Sequence, residues 1–167
     1  AKTIVNEVNS NNPTVFNGKL EVAGKSANVI IANPSGINVN GGTFINATKG
    51  TLTTGKVNYS NLRALDSITV NQGQINIGEK GLTNQFNNGS TLTDILAKSV
   101  TLNGKITGNH QDLVQVVVGE NTIKLDPELY ALDDKQITAL NPDSQATGLA
   151  LDIGQLGGVY ALSLIHI

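Results

Sequence analysis

Residues 29–47 of this chain read Val-Ile-Ile-Ala-Asn-Pro-Ser-Gly-Ile-Asn-Val-Asn-Gly-Gly-Thr-Phe-Ile-Asn-Ala. An apolar run is followed by an Asn-Pro-Ser-Gly turn, a short alternating segment, a Gly-Gly corner and a second short segment. Proline fixes its own φ angle, and glycine and asparagine tolerate the left-handed backbone of tight turns. The stretch therefore predicts short β-strands that are joined by tight corners.

Similar strand-corner-strand units recur along the chain. The paired segments are 17–22 with 103–108, 67–71 with 99–103, and 40–46 with 71–76. Repeats at periods of roughly 20 to 30 residues are typical of solenoids, in which each coil covers the inward face of its neighbour. The pattern predicts an all-β solenoid of stacked coils.

The alternation of apolar and polar residues predicts which side chains face the interior of the stack. We expect Thr69, Asn76 and Thr101 to point outward. The expected inward residues are Ile68, Val70, Ile75, Ile77, Val100 and Leu102. If this interpretation is right, the strands between residues 67 and 108 pair in parallel.

An ordinary antiparallel sandwich is the alternative fold, because Asn-Gly corners are also the strongest short-range signal for hairpins. Composition favours the solenoid, since only 4% of the residues are aromatic and Trp, Met and Cys are absent. A sandwich usually anchors its core on larger rings. Small branched side chains instead fit a narrow interior of repeated rungs.

Three regions depart from the repeat. Residues 93–98 follow a polar loop and could form a helical turn. Residues 111–146 are expected to leave the stack as an excursion, in which 113–118 and 122–125 predict a hairpin and a polar connector follows. The apolar residues 162–167 are either the final strand of the stack or a non-native tail, and the sequence leaves both interpretations open.

Charge and composition exclude several classes of function. Only 14% of the residues are charged, the net charge is -2, and Arg63 is the only arginine. The chain therefore lacks the clustered basic residues that nucleic-acid binding requires. Without cysteine there is no disulfide, thiol chemistry or Cys-based metal site. We predict no nucleic-acid partner, no metal and no cofactor.

No residue is assigned a catalytic role. His110 and His166 are far apart in the sequence and do not have the spacing of metal ligands. Asp133 and Asp134 are the only adjacent carboxylates, and a solvated loop explains them better than the carboxylate pair of a glycosidase. The chain is predicted not to be an enzyme. The alternatives are a β-helical polysaccharide hydrolase or lyase, and a glycan-binding adhesin repeat.

Several strings, taken in order, resemble one known family. Residues 27–37 are similar to its Asn-Pro-Asn-Gly-Ile segment, and residues 1–8 to its Ala-Lys-x-Ile-Leu-Asn-Glu-Val string. The other similar segments are 17–24, 44–47, 51–55 and, more loosely, 156–161. On these strings the chain resembles the haemagglutination activity domain, also called the two-partner secretion domain, of large bacterial exoproteins.

This resemblance implies a right-handed parallel β-helix in which residues 1–167 form a single secretion domain. The family's N-terminal cap and its Asn-Pro-Asn-Leu motif normally precede residue 1, so the chain is expected to be truncated at its N-terminus. Such domains begin adhesins, haemolysins or contact-dependent inhibition toxins, which pass through the periplasm of Gram-negative bacteria to the cell surface. The implied task is to offer an extended segment to a transporter and then to template β-helix folding outside the cell.

The resemblance also implies a partner and a site. The partner is an outer-membrane transporter of the two-partner secretion type, which binds the chain through periplasmic domains, and the chain is expected to be a monomer. The implied residues are Asn33, Pro34, Ser35, Gly36 and Ile37 as the secretion motif, with Asn6 and Glu7 as transporter contacts. The motif also fits an ordinary type I turn, because Pro stands at i+1 and Gly at i+3. A purely structural turn should tolerate Asn33→Asp, which keeps a short acceptor.

Overall fold

The computed structural model describes residues 3–85, 92–107, 113–126, 136–140, 151–153, 158–159 and 162–166. In these residues 20 β-strands form three parallel sheets and one antiparallel sheet. Over the same ranges no helix is long and apolar enough to cross a membrane. The molecule is therefore organised by its strands.

Five successive turns of the chain each contribute one strand to every parallel sheet, and the first sheet has one strand more. The first sheet has the spatial order β1 (Thr3–Glu7), β4 (Ala27–Ala32), β7 (Ala47–Thr53), β12 (Leu92–Ala97), β15 (Leu113–Val118) and β20 (Leu162–His166). The second has the order β2 (Thr14–Phe16), β5 (Ile37–Val39), β10 (Gln74–Ile77), β13 (Ser99–Leu102) and β18 (Leu151–Ile153). The third has the order β3 (Lys19–Glu21), β6 (Gly42–Ile45), β11 (Leu82–Gln85), β14 (Lys105–Thr107) and β19 (Gly158–Val159).

Successive turns of the chain stack in register. Ile37 of one coil pairs with Ile75 of the next, and Ile75 pairs with Val100 of the one after. The chain passes from the first sheet to the second and then to the third before it starts another coil. The parallel β-helix expected for this sequence is confirmed, and the antiparallel sandwich does not describe the stack.

The interior of the β-helix is apolar and narrow. The predicted inward residues Ile75, Ile77, Val100 and Leu102 are buried there. Its largest fully buried side chain is that of Phe44, whose ring meets that of Phe16 edge to face, with centroids 5.1 Å apart.

Gly50 makes room for the aromatic ring in the interior. A Cβ atom at this position would lie 2.7 Å from the ring of Phe44. Real Cβ contacts are not this short, so any larger residue would push the ring aside. Small residues such as Gly50 thus leave the space that the Phe44 ring occupies in the interior.

An antiparallel sheet, which we call the extra-helical sheet, covers the outer face of the first parallel sheet. Its spatial order is β17 (Ile137–Ala139), β16 (Asn121–Lys124), β9 (Leu65–Val70) and β8 (Lys56–Tyr59). Strands β8 and β9 are inserted between β7 and β10, and β16 and β17 between β15 and β18. Two separate excursions, which leave the stack at the same corner of alternate coils, therefore build one sheet.

The predicted hairpin of residues 113–118 and 122–125 is wrong. Strand β15 belongs to the first parallel sheet, where it pairs with β12, whereas β16 pairs with β9 of the other excursion. The part that leaves the stack thus begins after Val118 rather than at residue 111. The alternating sequence specifies strands here, but it does not specify their partners.

Ile68 and Val70 are buried as predicted, but their place in the stack is wrong. Both lie in β9 of the extra-helical sheet, where Ile68 is opposite Val57 and Ile123 in antiparallel pairs. Their side chains pack on Ile30, Ala32, Leu96 and Val117 of the first sheet. An inward-facing strand of a stack and a strand that covers the stack have the same apolar alternation, which is why the similarity between 67–71 and 99–103 misled.

The helical turn predicted for residues 93–98 is also wrong, because residues 92–97 form β12. Every residue of β12 is buried, with the β-helix interior on one face and the extra-helical sheet on the other. A strand covered on both faces loses its polar alternation and resembles a helical segment. The apolar residues 162–166 form a strand that pairs in parallel with β15, with Leu164 beside Val116.

Candidate functional site

Asn33 begins the turn between β4 and β5 and is completely buried, at 0% exposure. Its side-chain oxygen accepts a hydrogen bond of 2.9 Å from the backbone N–H of Ser35, and the N–H of Gly36 donates to its backbone carbonyl at 3.0 Å. Its side-chain Nδ2 donates to the carbonyl oxygen of Asn12 and to the hydroxyl of Thr14, both at 2.9 Å. Oxygen and both N–H groups of this amide are therefore used inside the protein.

The other motif residues also link neighbouring coils. The hydroxyl of Ser35 donates to the carbonyl of Ser10 at 2.9 Å, and the Gln72 side chain donates to the carbonyl of Pro34 at 3.1 Å. Gly36 has a φ of 114°, in a region that L side chains rarely adopt. Ile37 re-enters the core and is fully buried. The turn thus connects the coil before it with the coil after it.

This geometry corrects the expected tolerance of Asn33→Asp. An aspartate keeps the acceptor for Ser35, but its carboxylate cannot donate to Asn12 or Thr14. It would place a second oxygen against the Asn12 carbonyl, in a position without solvent. The feature that distinguishes Asn33 from an aspartate is its pair of N–H donors. Sequence reasoning missed these donors because a turn by itself requires only the acceptor.

Asn6 and Glu7 lie on β1, beside the end of β4 that leads into the turn. Asn6 is in register with Ile31 and Glu7 with Ala32, and both are exposed. Partial burial and, secondarily, the negative charge of Glu7 raise the pKa of the Tyr59 phenol at the end of β8. The structure therefore places the two predicted contacts beside β4, the strand that precedes the motif turn, and not in the turn itself.

A buried ion pair is the polar feature that sequence reasoning missed. Lys49 Nζ lies 3.1 Å from Asp94 Oδ2 on the outer face of the first sheet. Burial raises the pKa of Asp94, and the charge and hydrogen bond of Lys49 partly oppose that increase. The available signal was a lone acidic residue inside the otherwise apolar and Thr-containing run of residues 92–97.

The described part of the chain contains no cluster of three or more His, Cys, Asp or Glu residues that could hold a metal ion. His110, Asp133 and Asp134 lie outside the described residues, as does the side chain of His166.

Comparison with known proteins identifies the fold and its family together. The pattern of the TPS secretion domain family matches residues 1–166. The chain belongs to this family. A crystal structure of the filamentous hemagglutinin secretion domain superposes with a TM-score of 0.82 at 28% sequence identity, over 99% of this chain and 55% of that one.

Two relatives of this TPS secretion domain are very long proteins. It is 38% identical over 161 residues to the tRNA nuclease CdiA-2 of Burkholderia pseudomallei strain 1026b, and 38% identical over 161 residues to the toxin CdiA of Yersinia pestis. These matches cover 96% of this chain, but only 5% and 4% of those two proteins. TPS domains serve two-partner secretion, by which Gram-negative exoproteins pass through the periplasm to the cell surface.

Proposed function

We propose that a partner outer-membrane transporter recognises its exoprotein through this domain before the domain folds, and that the domain then templates β-helix folding outside the cell. Family membership supports the two-partner route. The burial of Asn33 is the observation that supports recognition before folding. Its amide is fully hydrogen-bonded and has no exposed surface in the folded domain, so a transporter that reads this side chain must meet it in the unfolded chain.

Folding would then remove the motif from the transporter. As the coil containing residues 10–14 closes over the turn, Asn12 and Thr14 take the two donors of the Asn33 amide. Internal hydrogen bonds then replace those that a transporter could make to this amide in the unfolded chain. Recognition and release would therefore use the same atoms at different times.

The parallel stack provides the template in this proposal. Each coil presents three strand edges at which the next coil adds strands in register, as in the column Ile37, Ile75 and Val100. Every added coil buries apolar surface at about 25 cal/mol per Å² of area removed from water. Folding on the outer side of the membrane thus opposes return of the chain through the transporter.

Asn6 and Glu7 are proposed as transporter contacts of a second kind. Unlike Asn33, both are exposed on the folded domain, on a strand whose partner β4 leads into the motif turn. Glu7→Lys should therefore weaken binding to the transporter without a change in stability. We propose that the domain acts as a monomer and takes no part in catalysis or nucleic-acid binding. This proposal concerns the domain alone and does not extend to the activity of the long protein to which such a domain belongs.

Recognition can be tested apart from stability by working in a chain that cannot fold. Ile95 is fully buried in the stack, so Ile95→Asp places an unpaired charge in the core and should unfold the full-length domain. In that background, Asn33→Asp should weaken binding to the purified periplasmic domains of the cognate transporter by roughly tenfold, the effect of losing about 1.4 kcal/mol.

The matched control is Asn38→Asp in the same background. Asn38 lies five positions beyond Asn33 and is exposed in the native fold, so it makes the same chemical change outside the motif. We expect it to bind like the parent. Equal binding by all three unfolded chains would show that the motif is only a scaffold turn.

A further inference from the structure

The buried ion pair lies where the two layers of the molecule meet. Asp94 belongs to β12 and Lys49 to β7, and their side chains are 2% and 15% exposed. Asp94 is in register with Thr51 on one side and Gln115 on the other, and both of these are buried as well. A row of polar side chains therefore crosses the outer face of the first sheet beneath the extra-helical sheet.

A cavity of about 120 Å³ separates the two layers at this point. The first sheet contributes Ile30 and Leu96 to its wall, and the extra-helical sheet contributes Ile68. The titratable groups that line it are Lys49, Asp94 and Asp126, the last of which follows β16 and is exposed. Docking of the extra-helical sheet thus covers a carboxylate in a cavity that both apolar and polar side chains line.

The hydrogen bonding of this carboxylate is incomplete. Asp94 Oδ2 forms the ion pair with Lys49, but Asp94 Oδ1 is buried without a hydrogen-bond partner. If Asp94 is ionised, Oδ1 is removed from water and gains no hydrogen bond in exchange, and this desolvation costs free energy. Lys49 retains some exposure, so its ammonium can turn toward water if the carboxylate becomes neutral. The neutral acid is therefore the better occupant of the closed interface.

We propose that Asp94 and Lys49 make the docking of the extra-helical sheet sensitive to pH, so that neutralising Asp94 tightens the sheet on the β-helix. This inference is independent of the proposed transporter. Opening of the sheet would hydrate Asp94 and return it to an ordinary carboxyl group, and closing would dehydrate it again. Besides Lys49, the titratable group that lines the cavity among the described residues is the exposed Asp126. Thr51, Gln115 and Ile68, which face Asp94 from the adjacent strands and from the extra-helical sheet, are uncharged.

The sign of the effect follows from proton linkage. Burial raises the pKa of Asp94 above its ordinary value of 3.8, so the closed state binds the proton more tightly than the open state. The added stability of the closed state is full below the ordinary value and is lost as pH rises through the raised one. This is the reverse of the usual acid sensitivity of a salt-bridged carboxylate, whose pKa is lowered.

Amide hydrogen exchange in the full chain tests the proposal. The opening equilibrium of β9 and β16, corrected for the intrinsic exchange rate, should increase at least roughly threefold from acid to neutral pH. Amides of β13 in the stack serve as the internal reference. In Asp94→Asn the increase should vanish, whereas Asp126→Asn, which removes the exposed acid at the same cavity, should keep it.

A second variant keeps the test decisive if Asp94→Asn folds poorly. Lys49→Met removes the positive charge that favours the ionised form of Asp94, so opening of the sheet should depend on pH more steeply in this variant than in the wild type. The proposal fails if wild-type opening is independent of pH, if Asp94→Asn keeps the wild-type dependence, or if Lys49→Met reduces it. It also fails if β13 responds as strongly as β16, because the effect would then be global.

Discussion

The parallel stack and the extra-helical sheet are built by different rules. In the stack, each strand pairs with its equivalent in the adjacent coil, and asparagines at the corners repeat the same contact. Asn17 accepts from the backbone of Asn40 at 3.0 Å, and Asn40 accepts from that of Lys80 at 2.9 Å. In the extra-helical sheet, β9 pairs with β16, which comes from a different excursion. The coil between them, which contains β12, has no excursion and passes under both.

The difference shows how far a local rule extends. A coil can be added to the stack by repeating one corner and one strand pattern, because its partner is always the coil before it. The extra-helical sheet needs two particular excursions and the outer face of the first sheet at the same time. We therefore expect the stack to behave as the cooperative core and the extra-helical sheet to open from it separately.

The largest effect should come from the centre of the stack. Phe44→Ala should lower the free energy of unfolding by about 4 kcal/mol, because apolar burial is lost and a cavity remains. Urea unfolding followed by circular dichroism measures the loss. Amides of both the stack and the extra-helical sheet should lose protection together. A loss below about 1 kcal/mol would show that the early coils lie outside the cooperative core.

A slightly smaller effect is expected at the motif turn. Asn33→Asp should destabilise the domain by about 3 kcal/mol at neutral pH, because two donors are lost and an unpaired carboxylate is buried. The matched variant Asn38→Asp, on the exposed face of the next strand, should change stability by less than about 0.5 kcal/mol. Thermal or urea unfolding of the pair measures the difference. Equal stability of the two variants would contradict the hydrogen bonding described for Asn33.

Ile123→Ala tests whether the extra-helical sheet opens separately. Ile123 is fully buried and lies opposite Ile68, so its truncation should cost about 2 kcal/mol. The cost should appear as faster amide exchange in β8, β9 and β16, while exchange in β10 and β13 stays as in the wild type. If all of these strands lose protection equally, the two regions unfold as one unit and the comparison is wrong.

The smallest effect is expected for the asparagine side chains that hydrogen-bond between coils on the solvent-facing side of the second sheet. The side chain of Asn76 donates to that of Asn38 at 2.9 Å on the solvent-facing side of the second sheet. Asn76→Ala should change the free energy of unfolding by less than about 0.5 kcal/mol, since water replaces an exposed hydrogen bond. A loss above about 1 kcal/mol in urea unfolding would mean that the outward amides contribute to the stack as much as the buried turn residues do.

Some of the candidate site was accessible from the sequence and some was not. The Asn-Pro-Ser-Gly turn and its return to the core at Ile37 follow from the backbone preferences of those residues. The two donors of the Asn33 amide find their partners in residues 12 and 14, and no local preference specifies that contact. Lys49 and Asp94 are far apart in the sequence, so only the stacking of β7 against β12 brings them together.

The sequence by itself determined the corners, the parallel stack and most of its strands, although β12 was predicted as a helical turn. Each of these depends on residues close together in the chain, such as an apolar alternation or an Asn-Gly corner, and on repetition of the same unit. Only the tertiary structure decided which strands leave the stack and pair with one another. Ile68 and Val100 stand in similar sequence segments, yet one covers the β-helix and the other fills it. Burial of an apolar side chain is equally favourable on either side of a sheet. Whether a strand fills the β-helix or covers it therefore depends on which distant surface is available to bury its side chains.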